Sequence, residues 1–263
     1  MSRKDRDLID RKIKEEKRFF DTDLLETVES VFDKATISTV LHLMRTKCIK
    51  SLKGVISSGK EARVYWGIDY EGRDVAVKIY YTLTSEFKKS MWKYLAGDPR
   101  YDEYKGMNWK KLIYMWASKE YRNLVRMHRS GVRVPKPLCI KNNVLVMEFI
   151  GENGVRAPLL KEAYEEELLS IEDLENIYRD IMDQIKVMIR EAKLVHADLS
   201  EYNIMIHMNK PYIIDVSQAL PINHPNAQEF LRADITNITR FFEKTGIQVI
   251  DPEEFIKELL SSD

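Results

Sequence analysis

Two residues in the last third of the chain have the spacing expected of a site that transfers phosphoryl groups. Asp198 lies two residues after His196 and five residues before Asn203, and an apolar run follows directly. This spacing is typical of a catalytic loop in which the aspartate accepts or orients a proton and the asparagine binds Mg²⁺. A solvated loop that happens to contain these residue types remains the alternative.

A second carboxylate, Asp215, ends an apolar stretch twelve residues after Asn203. The turn residues at 207–210 predict a short hairpin, which would bring Asn203 and Asp215 to neighbouring strand ends. Carboxylate and amide oxygens are ligands that Mg²⁺ accepts, together with phosphate and water. We therefore expect these two residues to share a metal ion. A purely structural aspartate at a strand end is the alternative.

The residues after Asp215 depart from the pattern of conventional protein kinases. Val216 and Ser217 stand where those enzymes have Phe-Gly, and no Ala-Pro-Glu sequence follows. We therefore expect no conventional activation segment and no peptide-docking platform of the usual kind.

Lys78 and Glu120 form a second candidate pair. Lys78 follows the strand-like run Val-Ala-Val, and Glu120 lies within an apolar stripe of a helix expected at about 109–129. A buried carboxylate costs several kcal/mol unless it is paired, so Glu120 needs a basic partner. Lys78 is the expected partner, because a Lys–Glu pair positions the phosphates in kinases. The alternatives are that the Glu120 carboxylate reaches solvent or that it pairs with Lys119 or Arg122.

The segment 54–61 is the candidate phosphate loop, and it contains Ser57, Ser58 and Lys60. Small residues allow backbone N–H groups to approach phosphate oxygens, and serine hydroxyls add donors. The segment nearly spells a Walker-A sequence, but Glu61 replaces the Ser or Thr that would hold Mg²⁺, and a strand-like run follows instead of a helix. A plain hairpin turn is the alternative to a phosphate loop.

Composition limits the classes of function. The chain has 263 residues, of which 42 are Lys or Arg and 42 are Asp or Glu, so no overall basic character points to DNA. No apolar stretch reaches the roughly 18 residues of a membrane span. The first ten residues contain no apolar signal core, so we expect no signal peptide. Two cysteines, Cys48 and Cys139, are expected to be reduced in a cytoplasmic protein, and one disulfide between them is the alternative.

The order of elements predicts an α+β fold with two lobes. Residues 1–150 are expected to form an N-terminal lobe with a helical extension (1–45), an antiparallel sheet, the helix of Glu120 and a flexible insertion (81–110). Residues 151–263 are expected to form a helical C-terminal lobe, after a connector at 151–158. Helices are expected at about 159–168, 171–192, 226–244 and 251–262.

Several strings in this chain resemble the Rio family of atypical protein kinases, and the type-one subfamily in its compact archaeal form most of all. The resemblance covers about residues 30–260, and the strings that carry it are Ser-Ser-Gly-Lys-Glu-Ala (57–62), Lys-Glu-Tyr-Arg-Asn-Leu (119–124), His-Ala-Asp-Leu-Ser-Glu-Tyr-Asn (196–203) and Ile-Asp-Val-Ser-Gln (214–218). Ser58 departs from the threonine expected in many members, although a hydroxyl remains.

The resemblance implies a protein-kinase-like fold with a trimmed C-terminal lobe and an extra N-terminal helix. It implies ATP as substrate and Mg²⁺ or Mn²⁺ as the metal, with Asp198 as catalytic base and Asp215 both as a metal ligand and as a residue that becomes transiently phosphorylated. The residues implied to line the adenine site are Met147, Glu148 and Ile150.

The resemblance also implies a serine/threonine kinase or ATPase that acts in maturation of the small ribosomal subunit, on pre-ribosomal protein and rRNA. An ATP-driven switch without a protein substrate remains open. So does a small-molecule phosphotransferase of the aminoglycoside or choline type, although little chain remains after Asp215 to build a site for an alcohol. A nucleotide-binding scaffold without catalysis is disfavoured by the intact Lys78, Asp198 and Asp215.

Overall fold

The computed structural model describes residues 31–82, 91, 94 and 108–261, and these fall into two compact units. The first unit contains the described residues up to 82 together with Asn108–Ser118 and Leu138–Glu148. The second contains Lys119–Pro137 and the described residues from Phe149 onward. The predicted lobe boundary after residue 150 stays a prediction. The helices expected before residue 31 and most of the insertion expected at 81–110 lie outside the described residues.

The first unit consists of a helix packed with a five-stranded antiparallel sheet. Helix α1 spans Lys34–Arg45, and its first turn is capped by the Asp33 carboxylate, which accepts a hydrogen bond from Thr36 N at 2.9 Å. The sheet has the strand order β1-β2-β3-β5-β4. Its strands are β1 (Ser51–Ser58), β2 (Ala62–Ile68), β3 (Asp74–Tyr80), β4 (Pro137–Lys141) and β5 (Val144–Glu148).

The central strand β3 explains the continuous apolar run in which Lys78 lies. Every residue of β3 from Val75 to Tyr80 is buried, and β2 and β5 flank the strand on both sides. The antiparallel sheet that the sequence predicts in this part of the chain is confirmed. Asn142 has a φ of +52° in the turn between β4 and β5.

The candidate phosphate loop is shorter than the sequence indicated. Residues 54–58 belong to β1, where Ser57 pairs with Val64 and Ser58 with Arg63, so the turn itself comprises only residues 59–61. Two irregularities in the β1–β2 register, between Leu52 and Gly54 and between Val55 and Ser57, accommodate the small residues within the strand. The small residues of segment 54–61 therefore belong partly to an irregular strand and partly to the turn that follows it.

The expectation of two reduced cysteines is wrong in this structure. Cys48 and Cys139 are joined in a disulfide, with their Cα atoms 6.6 Å apart and 91 residues between them in sequence. Cys48 follows helix α1 and Cys139 lies in β4, so packing of the helix against the sheet brings them together. Their separation in the chain gave no signal of this proximity.

The second unit is mainly helical. Helix α2 (Trp109–Arg129) supplies its last residues to this unit, and Gly131, with a φ of +89°, follows its end. The other helices are α3 (Leu160–Glu165), α4 (Ile171–Arg190), α5 (Ala227–Lys244) and α6 (Pro252–Leu260), all close to the predicted positions. Over the described part of the chain, no helix is both long and apolar enough to cross a bilayer.

Short hairpins and bridging strands connect these helices. The predicted connector at 151–158 contains a small hairpin of β6 (Gly151–Glu152) and β7 (Val155–Arg156). After α4 come β8 (Leu194–Val195), β9 (Ile204–His207), β10 (Lys210–Ile213) and β11 (Leu220–Pro221). Strands β9 and β10 form a hairpin, and the strands before and after it in the chain, β8 and β11, pair with each other.

Candidate active site

The β9–β10 hairpin brings two of the predicted site residues to the same end of a ladder. Met208 and Asn209 form its turn with φ values of +51° and +55°, as a two-residue hairpin turn requires. At the open end, Ile214 N donates to Asn203 O at 2.9 Å and continues the strand pairing. Asn203 and Asp215 therefore flank the end of one hairpin, as the sequence predicted.

The side-chain amide of Asn203 connects the hairpin to the loop that contains Asp198. Asn203 Nδ2 donates to the backbone oxygen of Asp198 at 2.7 Å and lies 3.5 Å from its Oδ2. Because the nitrogen of the amide faces Asp198, its Oδ1 is the atom that could ligate a metal. The side chain of Asp198 is exposed.

Asp215 has a backbone conformation that is unusual for a residue with a side chain. Its φ is +57°, in the left-handed region, which costs an L-residue roughly 1–2 kcal/mol. Its Oδ1 accepts a hydrogen bond from Ser217 Oγ at 3.1 Å. Such backbone strain persists only where the surrounding contacts determine it, and it clusters at functional sites.

His196 holds the start of the loop at 196–203 against the residue before Asp215. Its ring is buried, and Nε2 lies 3.0 Å from Ile214 O, so Nε2–H donates to this carbonyl. Burial lowers the pKa of His196 because desolvation penalises the imidazolium form. The neutral ring therefore acts as a hydrogen-bonding spacer between the two chain segments and does not supply charge.

Asp234 is a functional candidate that the sequence interpretation missed. It lies on α5 with 3% of its surface exposed, and its two carboxylate oxygens accept from Ala197 N at 2.8 Å and Leu199 N at 2.7 Å. These are the residues on either side of Asp198, and Ala197 has a φ of +70°. Asp234 thus holds the backbone that presents Asp198. A carboxylate on the apolar face of a helix was the available signal, as it was for Glu120.

The raised pKa of Asp234 predicts that the loop at 196–203 responds to pH. Burial raises its pKa to about 7, against the opposing effect of the two N–H donors. Above this pH the carboxylate accepts both N–H groups, whereas below it a proton on one oxygen opposes one of them. We therefore expect the turnover rate of phosphoryl transfer to fall as the pH drops below about 7, and pH–rate profiles will measure it.

An Asp234→Asn variant is the control for this pH dependence. Its amide mimics the protonated acid at every pH, so the variant is expected to have a rate reduced about tenfold and no transition near pH 7. A wild-type transition that persists unchanged in Asp234→Asn would assign the titration to another group, such as Asp198 itself.

Glu120 is buried as the sequence predicted. Its exposed fraction is 1%, and the four apolar residues of the predicted stripe, Ile113, Trp116, Leu124 and Met127, are all buried. Lys78 is also buried, in β3 opposite Leu145, with Nζ 5.1 Å from the centre of the Tyr80 ring. Lys78 belongs to the first unit and Glu120 to the second, and the structure describes each unit by itself. The pairing of these residues therefore stays a prediction.

The remaining predicted residues are distributed over both units. Met147 lies opposite Ala76 and Glu148 opposite Val75 at the end of β5, while Ile150 is buried in the second unit. In the first unit, Ser57, Ser58 and Lys60 lie on β1 and in the turn that follows it. Their roles in binding adenine and phosphate stay predictions.

The donors at the hairpin end fit Mg²⁺. Asn203 and Asp215 supply two oxygen donors, and the described residues contain no group of three or more His, Cys, Asp or Glu side chains that could form a complete metal site. Mg²⁺ commonly binds through one or two carboxylates, with substrate phosphates and water completing the shell. The residues present therefore match a metal that arrives with a nucleotide.

The sequence matches the profile of one known protein family over most of its length. The RIO domain profile matches residues 63–255, which include Lys78, Glu120, Asp198, Asn203 and Asp215. The chain belongs to the RIO family of atypical protein kinases. The RIO1 serine/threonine-protein kinase of Caenorhabditis elegans is 43% identical over 241 residues, covering 90% of this chain and 46% of that protein. The Rio1 kinase of Haloferax volcanii is 40% identical, covering 93% of this chain and 80% of that protein.

This RIO-family chain is thus shorter than its eukaryotic relatives. It spans just under half the length of the C. elegans protein and four fifths of the archaeal one. The structure of the Chaetomium thermophilum Rio2 kinase–ADP/Mg²⁺–phosphoaspartate complex aligns with a TM-score of 0.64 at 21% identity, covering 86% of this chain and 66% of that one. This likeness confirms the predicted kinase-like fold.

Proposed function

We propose that this RIO-family chain transfers the γ-phosphoryl group of ATP to serine or threonine hydroxyls, its own included. The observation that carries the proposal is the placement of Asp198, Asn203 and Asp215 around the end of one hairpin. The serine/threonine kinases among its relatives support a hydroxyl as the acceptor.

In this proposal, the predicted residues divide the work of phosphoryl transfer to a hydroxyl. Asp198 accepts the proton of the attacking hydroxyl, and Asn203 and Asp215 hold Mg²⁺ or Mn²⁺, which neutralises charge on the phosphates. The residues proposed to bind ATP are Lys78 with Glu120, then Ser57, Ser58 and Lys60 at the phosphates, and Met147, Glu148 and Ile150 at adenine.

We propose ATP hydrolysis as a second outcome at the same site. The Rio2 structure that shares this fold is a phosphoaspartate complex, and Asp215 is an exposed carboxylate of this chain beside Asn203 at the hairpin end. Attack by an Asp215 oxygen on the γ-phosphorus would break the bond to the β-phosphate and release ADP. Water would then cleave the acyl phosphate, which returns the carboxylate and releases phosphate.

The biological setting proposed for this chain is maturation of the small ribosomal subunit in the cytoplasm. The partners would be pre-ribosomal protein and rRNA, with no role for DNA or a membrane. The basis is the resemblance to the type-one Rio subfamily, whose members in other organisms match over most of this chain.

The test is the fate of radiolabel from [γ-³²P]ATP on wild type, Asp198→Ala and Asp215→Ala. We expect acid-stable, base-labile label on wild type, as phosphoserine or phosphothreonine gives, and its loss in both variants. A hydroxylamine-labile fraction is expected on wild type and should be absent from Asp215→Ala, because this fraction reports an aspartyl phosphate.

Three results would contradict parts of this proposal. Free phosphate without labelled hydroxyls on any protein would favour the ATP-driven switch. Label transferred to an aminoglycoside or choline would favour a small-molecule kinase. Nucleotide binding with neither label nor phosphate release would indicate a scaffold.

A further inference from the structure

Lys119 is a buried ammonium group that the proposed chemistry does not use. Its side chain is fully buried, and Nζ donates to the backbone oxygens of Ser217 at 2.6 Å and Ala219 at 2.7 Å. Removing a charged ammonium from water costs several kcal/mol unless hydrogen bonds compensate for it. A leucine or methionine could fill this buried position without that cost. The presence of a lysine therefore suggests that its two hydrogen bonds have a role.

Asn123 repeats the arrangement one helical turn later. It is also buried, and its Nδ2 donates to the backbone oxygens of Val216 and Ala219, both at 2.9 Å. Residues four apart lie on the same face of a helix, so Lys119 and Asn123 act together. Four hydrogen bonds from one face of α2 therefore converge on the carbonyls of residues 216–219, which we call the post-metal segment.

The post-metal segment begins directly after Asp215, whose backbone is in the left-handed region. On the other side of Asp215, the carbonyl of Ile214 is held by His196. Asp215 is thus fixed from both sides, by the His196 contact before it and by Lys119 and Asn123 after it. These contacts all lie within the second unit, which also contains Glu120.

We infer that Lys119 and Asn123 are positioning residues that hold Asp215 permanently in its metal-binding backbone conformation. In kinases with a regulated activation segment, ordering of that segment by phosphorylation brings the site into its active arrangement. This chain lacks the Phe-Gly and Ala-Pro-Glu sequences of such a segment. The hydrogen bonds from α2 take over its ordering role, and the helix that carries Glu120 is thereby tied to the loop that carries Asp215.

This inference rests on the proposed metal-binding role of Asp215, and two variants test it. Lys119→Met and Asn123→Leu keep the approximate shape of each side chain and remove its donors. Each variant is expected to weaken Mg²⁺ binding in the presence of ADP by about tenfold or more, as loss of contacts that orient a metal ligand does. Binding of ADP in EDTA should change little, because neither side chain is proposed to touch the nucleotide.

Amide hydrogen exchange supplies a readout that is independent of metal and activity. Exchange in a peptide covering residues 211–222 should become faster in both variants, while the β1–β2 hairpin should be unaffected. Because both side chains hold the same segment, the double variant should lose less Mg²⁺ affinity than the two single effects combined. If Lys119→Met does not fold, the shorter side chain in Asn123→Ser is the milder variant for the same measurements.

The matched control is Asn143→Leu. Asn143 is also a buried asparagine with two hydrogen bonds, to Thr36 Oγ1 at 3.0 Å and Tyr80 O at 2.8 Å, but it lies in the first unit. This control should lower the melting temperature without changing Mg²⁺ affinity. The inference is overturned if the α2 variants melt earlier but keep wild-type Mg²⁺ affinity and wild-type exchange. If wild type binds no Mg²⁺ with ADP, the proposed function fails, while the exchange data still report on the hydrogen bonds.

Discussion

Replacement of Asp198 by asparagine is expected to lower the turnover rate of phosphoryl transfer by about 10²–10⁴-fold. Asp198 is proposed to accept the proton of the acceptor hydroxyl, and an amide cannot do so at any accessible pH. The KM for ATP should change little, since the proposed metal ligands remain and the lost interaction is made mainly in the transition state. Steady-state kinetics with ATP and a protein acceptor will measure both quantities.

The control for this loss is Asp183→Asn, which removes an exposed carboxylate from α4. It changes the net charge by the same amount and should leave the kinetics unchanged. A rate for Asp198→Asn within threefold of wild type would remove Asp198 from the catalytic role.

Replacement of Asp215 by asparagine is expected to reduce kcat/KM by about 10³-fold, which corresponds to about 4 kcal/mol of transition-state stabilisation. The reason is the loss of a charged metal ligand. Asparagine tolerates the left-handed backbone that Asp215 adopts, so the loop should keep its conformation. The variant thus separates loss of charge from loss of structure.

The dependence of kcat/KM on Mg²⁺ concentration will identify why Asp215→Asn loses activity. Asp215→Asn should need a higher Mg²⁺ concentration for half-maximal rate, whereas Asp198→Asn should not, and the unfolding temperatures of both should stay near that of wild type. An Asp215→Asn variant with the wild-type Mg²⁺ dependence would contradict the assignment of Asp215 as a metal ligand.

The sequence predicted the parts of the site that depend on local patterns. The hairpin between Asn203 and Asp215 follows from a short turn between two apolar runs, and both strands lie where they were expected. The burial of Glu120 follows from the period of the apolar residues around it. Short-range spacing and periodicity were sufficient in both cases.

Contacts between distant segments could not be predicted in the same way. Asp234 binds backbone N–H groups 35 and 37 residues away, and Lys119 binds backbone carbonyls about 100 residues away. Almost every residue has a backbone N–H and C=O, so the sequence does not reveal which of these groups a distant side chain binds. The prediction that Cys48 and Cys139 are reduced failed for a related reason, because only the packing of the fold brings these two cysteines together.

A crystal structure with Mg²⁺ and a non-hydrolysable ATP analogue tests the account most directly. We predict one ion bound by Asn203 Oδ1 and an Asp215 carboxylate oxygen at about 2.0–2.1 Å, with phosphate oxygens completing its shell. An ion bound to the nucleotide but remote from both side chains would contradict it.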